Sequence, residues 1–395
     1  MAEAVVKPQR GKRVLQALAV AGAMVLSGCS TLIPRGSTPP PPPPPKPTKP
    51  VPVEPGIPQD HDRHRVALLV PLSGTNAGVG QSLANATQLA LLDTKATSVR
   101  ITTYDTAQGA TSAARKAIAD GNGLILGPLL SKNAEAVAPI ASAAHVPVLS
   151  YSNDVRVAGN GTFIMGYTPQ QSIRRVVDYA TQTGITQFAA IVPRGLYGDR
   201  ASDALLRAVR ADKGQVVSIQ PYDRSRESIA SAINRIPDTS PYQAILVADS
   251  ADVAVLAAPV IRQGASASAR ILGTELWNTD SSVGSNTALN GAWFASVSDG
   301  LYRQYARKYH ARFGKAPYRL STIAYDSVLL TVRLAREWKF GAPFPETMLY
   351  SKDGFVGLDG AFRFDRGGVA QRALEVQEIR NGSTVVVSQA PRSFQ

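Results

Sequence analysis

The sequence predicts an α/β protein of two Rossmann-like lobes, each a parallel sheet flanked by helices. Two observations carry this. From residue 65 onward, short apolar runs of strand length alternate with helix-length stretches, and the alternation runs through twice, restarting near Pro169. A βα alternation implies a parallel sheet with right-handed crossovers. Size agrees: of 395 residues, about 330 remain once a leader and a proline-rich stretch are set aside, more than one ordinary core.

The N-terminal stretch reads as an export signal. Lys7, Arg10, Lys12 and Arg13 precede an apolar run over 14–26, and Leu26-Ser27-Gly28-Cys29 follows. A positive start, a short apolar core and small residues before a cut define a secretory signal. The apolar run is too short for a membrane span, which needs about 20 residues. Residues 1–28 are therefore assigned as the signal peptide. Cys29, the single cysteine, is the candidate lipidation site, each buried methylene of its acyl chains contributing about 0.8 kcal/mol of anchoring. An acylated Cys29 leaves no thiol for a disulfide or for catalysis. A cleavable signal with an incidental cysteine is the plainer alternative.

Residues 29–64 read as a proline-rich linker. The unbroken prolines over 39–45 favour polyproline II at about 3.1 Å per residue, so the segment could reach on the order of 100 Å as a stalk. It could equally be a plain spacer or a proline-rich ligand for another domain.

The first series follows. Apolar Val66-Ala67-Leu68-Leu69-Val70 reads as a buried strand. A helix over 80–93, a strand over 99–104, a helix over 108–119, a strand over 124–126, a helix over 132–144 and a strand over 146–149 come next. The second series has helices over 170–182, 199–211, 228–236 and 252–263, interleaved with strands over 188–192, 216–219, 244–247 and 270–272. A strand over 292–297, two helices over 301–313 and 320–338, and a β-rich tail over 355–387 complete the chain. Turns are expected at Asp359-Gly360, Arg366-Gly367-Gly368 and Asn381-Gly382. The body, 65–395, is divided into a first lobe of about 65–167 and 298–340 and a second of about 168–297 and 341–395, with chain exchange at Gly166-Tyr167-Thr168 and near Ser296.

The net charge is +13, which favours anionic partners. Export turns that preference toward anionic lipid, acidic glycan or an acidic protein face, and away from nucleic acid. No phosphate loop, dinucleotide fingerprint, H-E-x-x-H helix or G-x-S-x-G elbow occurs in the sequence. The lack of S-x-x-K excludes a penicillin-binding transpeptidase. Asp60-His61-Asp62-Arg63-His64 has the look of a metal tract but is assigned to the solvated linker. No metal, cofactor or catalytic residue is expected, and the chain is read as a binding protein.

Three small polar loops follow apolar strands: one contains Ser73 and Gly74, one Ser131, one Ser152 and Asn153. At the carboxyl ends of parallel strands, free N–H groups and hydroxyls suit a carboxylate or another anion. Arg303, Arg307 and Lys308, with Arg312, Lys315 and Arg319 beyond, form a basic stretch. It is either solvated surface or the contact for an acidic partner.

Val66 to Gly80, with its Pro71-Leu72-Ser73-Gly74 turn, resembles the opening of leucine-binding-type periplasmic proteins, which are type I periplasmic-binding folds. Tyr104-Asp105-Thr106, Gly127-Pro128-Leu129-Leu130-Ser131, Pro147-Val148-Leu149-Ser150-Tyr151-Ser152-Asn153-Asp154, Gly166-Tyr167-Thr168-Pro169 and Leu272-Gly273-Thr274-Glu275-Leu276-Trp277 resemble the penicillin-binding protein activator lipoproteins of that fold. This resemblance implies an outer-membrane lipoprotein facing the periplasm. It would stimulate a class A penicillin-binding protein by direct contact and touch peptidoglycan. Ser30 after the cysteine resembles the outer-membrane sorting pattern. The competing implication is a solute-binding lipoprotein of an ABC transporter, for amino acids or similar small polar ligands. The ligand contacts would then be Ser131, Ser152 and Asn153 from the first lobe and Tyr197 and Glu275 from the second, the serines holding a carboxylate and Glu275 an ammonium group, with Leu129-Leu130 crowding the cleft.

Overall fold

The computed structural model describes residues 62–279, 282–391 and 394. Cys29, the signal and the proline-rich run lie outside the described residues.

The first sheet forms from β1 (His64–Val70), β2 (Val99–Asp105), β3 (Leu124–Leu126), β4 (Val148–Ser150) and β5 (Thr162–Ile164). All pairs are parallel, in the order β2-β1-β3-β4-β5. Helices α1 (Ala77–Thr94), α2 (Ala110–Ala119) and α3 (Ser131–Ala143) connect them. Val66, Ala67, Leu68, Leu69 and Val70 are all fully buried, because crossover helices cover both faces of such a sheet. β5 is the element absent from the sequence reading. It has three residues between the positive-φ Gly161 and the helix-starting Pro169, too short to show a period.

The second sheet repeats the first. Helix α4 (Pro169–Gln182) leads into β6 (Gln187–Pro193), α5 (Leu196–Ala211), β7 (Gln215–Tyr222), α6 (Arg226–Asn234), β8 (Ala244–Val247), α7 (Ala251–Ile261), β9 (Arg270–Gly273) and β10 (Trp293–Ser296). The parallel order β7-β6-β8-β9-β10 matches the first sheet strand for strand.

The chain then returns. Helices α8 (Tyr302–Phe313) and α9 (Ser321–Ala335) and a small antiparallel sheet of β11 (Phe355–Gly357), β12 (Gly360–Phe364) and β13 (Ala370–Arg372) share one core with the first sheet. Tyr305, Val328, Phe355 and Phe362 pack there with Leu68 and Leu126. Only β14 (Glu375–Arg380) and β15 (Ser383–Ser388) join the second sheet, β14 antiparallel to β10 and β15 antiparallel to β14. This corrects the assignment of all of 341–395 to the second lobe. The apolar alternation of Phe355, Phe362 and Phe364 is satisfied by the first lobe's core, so the third crossing of the chain falls between Arg372 and Glu375. The expected turns at Asp359-Gly360, Arg366-Gly367-Gly368 and Asn381-Gly382 close the β11–β12, β12–β13 and β14–β15 hairpins.

A second correction concerns His64. It is the first residue of β1, not of a solvated linker. Its ring is buried and stacked between Trp338 and Phe340 at 4.1 and 4.4 Å. Burial lowers its pKa, against a backbone hydrogen bond at Trp338, so the ring is an aromatic packing element.

Candidate functional site

The carboxyl ends of both sheets face a junction crossed by three strands of chain, after β5, after β10 and after β13. In the first lobe the loop hydroxyls are mostly committed. Ser73 Oγ donates to Asp105 Oδ2 at 2.8 Å, and Leu72 N donates to Asp105 Oδ1 at 2.8 Å, so the end of β2 ties down the loop after β1. Gly74 turns at φ 71° and is exposed. Ser152 is buried, and its Oγ accepts from Asp154 N at 3.0 Å. Ser131 begins α3 half-buried, and Asn153, in the loop after β4, is half-buried as well. Leu129 packs against the first core, while Leu130 is exposed.

The buried polar centre lies in the second lobe. Glu275, in the 3₁₀ turn after β9, accepts from Tyr197 Oη at 3.1 Å through Oε1 and from Ser172 Oγ through Oε2. Tyr197 also donates to Thr274 Oγ1 at 3.1 Å. Burial raises the Glu275 pKa, while the hydrogen bonds from Ser172 and Tyr197 oppose it. The turn is fixed from below: Trp277 is fully buried, rests over Gly273, and donates Nε1–H to Asp249 O at 3.1 Å. A side chain at Gly273 would strike the indole at 2.3 Å.

At the crossings, two arginines that the sequence reading missed as a pair converge. Arg319, before α9, pairs with Asp359 at 2.7 Å and Asp299 at 3.5 Å and stacks 4.2 Å over Tyr302. In sequence it belongs to the basic stretch that begins at Arg303, yet it is only 6% exposed. Arg372 ends β13, sits over the rings of Tyr167 and Phe362, and donates to Met165 O at 2.7 Å. The available signal was period two: Ala370 and Arg372 share the buried face of their strand. Tyr167 Oη donates to Asp359, which also accepts from Thr322 Oγ1 at 2.7 Å. Burial would raise the Asp359 carboxyl, but Arg319 and Arg372 hold it below its usual value.

Two cavities open at this junction. A small one of about 20 Å³ is lined by Tyr167, Gln171, Ser172, Glu275, Arg319 and Arg372, among others. The larger, about 620 Å³, has walls from both lobes, including Phe294, Tyr302, Arg303 and Tyr318. They share Asn278, Thr279 and Arg319. Of the residues singled out from sequence, Glu275 lines the small cavity and Arg303 the large one; Ser73, Gly74, Ser131, Ser152, Asn153 and Tyr197 line neither. On α8, Arg303 and Arg307 are exposed, whereas Lys308 closes on Asp93 at 3.0 Å.

The family model described as periplasmic binding protein matches residues 64–384. An uncharacterized protein of Rickettsia prowazekii (strain Madrid E) is 23% identical over 332 residues, which is 80% of this chain and 86% of that protein. Among solved structures, a branched-chain amino acid ABC transporter periplasmic ligand-binding protein of Burkholderia xenovorans LB400 superposes with a TM-score of 0.69. It is 17% identical over 83% of this chain and 95% of its own. A solute-binding protein of an ABC transporter of R. palustris, solved in complex with 4-hydroxybenzoate, gives 0.66 at 17% identity, over 85% and 98%. At these identities the solved structures show a common fold.

Proposed function

The chain belongs to the periplasmic binding protein family, and from that premise we propose that it is a periplasmic receptor that closes two lobes on a small polar solute for an ABC transporter. The observation that carries this is the Glu275 centre: a buried carboxylate held by Ser172 and Tyr197 beside a cavity walled by both lobes. Such a group suits an ammonium. Tyr167, Arg319 and Arg372 bring polar groups to the same cavity from the other side, whereas Ser131 and Asn153 line neither cavity. Ser73 and Ser152 support the loops. The solute-binding relatives named above support the same reading, and members of this family bind ligands rather than turn them over. Acylation at Cys29 would hold the receptor at a membrane.

The test is thermal melting of the full-length protein with a panel of amino acids and small carboxylic acids. A ligand at a hundredfold excess over its Kd stabilises by about 2.7 kcal/mol. The melt rises with at least one of them; a melt unmoved by every compound overturns the reading.

A second reading is direct stimulation of a class A penicillin-binding protein from an outer-membrane anchor, with contact to peptidoglycan. The exposed Arg303 and Arg307 on one face of α8 favour it. Glycan polymerisation by the purified synthase would accelerate on adding the protein, less so after Arg303→Ala and Arg307→Ala. An unchanged rate on adding the unaltered protein rules it out.

A further inference from the structure

Arg372 is 8% exposed, and among the described residues no carboxylate stands within ion-pairing distance of it. Asp326 and Asp359 are near enough to feel its charge, but neither reaches it. Buried arginines are ordinarily paired. Two of its nitrogens, Nε and Nη1, make no hydrogen bond, and neither do Nε and Nη2 of Arg319. Three buried donor nitrogens therefore stand without an acceptor, and the fourth, Arg319 Nη2, meets only Asp299 at 3.5 Å; both arginines line the same 20 Å³ cavity. Native interiors leave few such groups, and each calls for a partner.

The cavity has room for one small polar group. A water offers two lone pairs, whereas a carboxylate offers about four acceptor sites and a charge. The carboxylate therefore answers both deficits, the missing acceptors and the missing counter-ion. The adjoining 620 Å³ cavity lies in the size range of ligand pockets. Its walls include Phe294, Tyr302, Pro317 and Tyr318, and Arg303 stands at its side. It meets the small cavity at Asn278, Thr279 and Arg319, so a ligand could place its head in one and its body in the other.

We propose that Arg319 and Arg372 hold the carboxylate of a small organic acid whose apolar or aromatic body fills the larger cavity. This rests on the solute-receptor reading and moves the anion contact from the serine loops to the chain crossings. Both lobes touch such a ligand, the second through Asn278 and Thr279 and the first through Arg319 and Tyr302, which couples occupancy to closure.

The experiment is calorimetric titration of the full-length protein with benzoate, 4-hydroxybenzoate and leucine, each against its own amide, with sodium acetate as a free-anion arm. At least one acid binds, and its amide binds at least about a hundredfold more weakly, as expected where buried arginines lose the counter-charge and one of two acceptor oxygens. Arg372→Met removes that preference for acid over amide. Equal binding of acid and amide, an unaltered preference in Arg372→Met, or acetate binding that no larger acid competes with would each overturn the proposal while leaving a solute receptor in place. If none of the compounds binds, the receptor reading fails with it. Should Arg372→Met not fold, the acid-against-amide comparison on the unaltered protein decides the matter.

Discussion

Asp154 and Arg200 join the two lobes: Asp154 Oδ1, after β4, stands 2.6 Å from Arg200 Nη2 on α5. Arg156 holds the same carboxylate at 2.9 Å. Burial would raise the Asp154 carboxyl, but Arg156 and Arg200 outweigh it and hold it well below the usual range. Its stabilisation is therefore present above the unfolded value near pH 4 and is lost as pH falls through the lower folded value. Arg200→Ala removes the link between lobes and leaves Arg156 in place. The expected cost is about 2 kcal/mol in chemical denaturation, with a larger radius of gyration by small-angle scattering. An unchanged radius would mean that this pair does not hold the lobes together.

Gly80 and Gly198 occupy the same place in the two lobes. Each lies in the first turn or so of the helix after the leading strand. A Cβ at Gly80 would lie 1.6 Å from Pro71 O, and one at Gly198 would lie 1.7 Å from Pro193 O. Neither backbone oxygen can step aside without moving the strand end. Gly80→Ala and Gly198→Ala should each cost roughly 1–3 kcal/mol by overpacking, read as a lower denaturation midpoint with an unchanged m-value. Gly184→Ala, with nothing within 4 Å, tests backbone strain alone, since its φ is +94°.

The strands announced themselves where burial was two-sided. β3 and β8 have the bounds that the apolar runs predict, because crossover helices leave such strands no polar residues. The tail was legible as hairpins but not as to lobe, since Phe355 and Phe362 would satisfy any apolar face. At the site, Glu275 and Tyr197 were legible and do meet. Ser73 reads as a ligand hydroxyl because a sequence does not show Asp105 reaching it from β2, and Ser152 because the local turn that engages its hydroxyl through Asp154 N has no sequence signature of its own. Arg319 hid among five neighbouring basic residues, and only its tertiary partners Asp359 and Tyr302 separate it from surface.

Asp326 on α9 accepts from Leu358 N at 2.7 Å and lies fully buried behind Asp359. Burial, then the charge of Asp359, raises its pKa to about 7, while Arg372 and the Leu358 and Asp359 amides oppose the rise. An acid raised in the folded state binds more protons folded than unfolded. Its contribution is fullest below the unfolded value near pH 4 and is lost as pH climbs to about 7. Asp326→Asn keeps the acceptor oxygen and removes the titration. The variant should flatten the decline in stability between pH 4 and 7 and match or exceed the parent at pH 8. A parallel pH profile would show that Asp326 does not titrate in that window.

Glu275→Gln separates the two groups that could meet a solute. Burial raises the Glu275 carboxyl, so its folded form too is most stable at low pH and loses stability as pH rises through the shifted value. Glutamine has the same shape and can still engage the hydroxyls of Ser172 and Tyr197, so the variant should fold and be no less stable at pH 7. It cannot supply the negative charge that a ligand's ammonium needs. Affinity for leucine should fall by about tenfold or more, which is at least 1.4 kcal/mol, whereas affinity for benzoate, which has no ammonium, should hold or rise. Calorimetric titration of both compounds against both proteins reads this directly. Equal losses for the two ligands would mean that Glu275 shapes the cavity without pairing to an ammonium, and no loss for either would place the ligand away from the second lobe's buried centre.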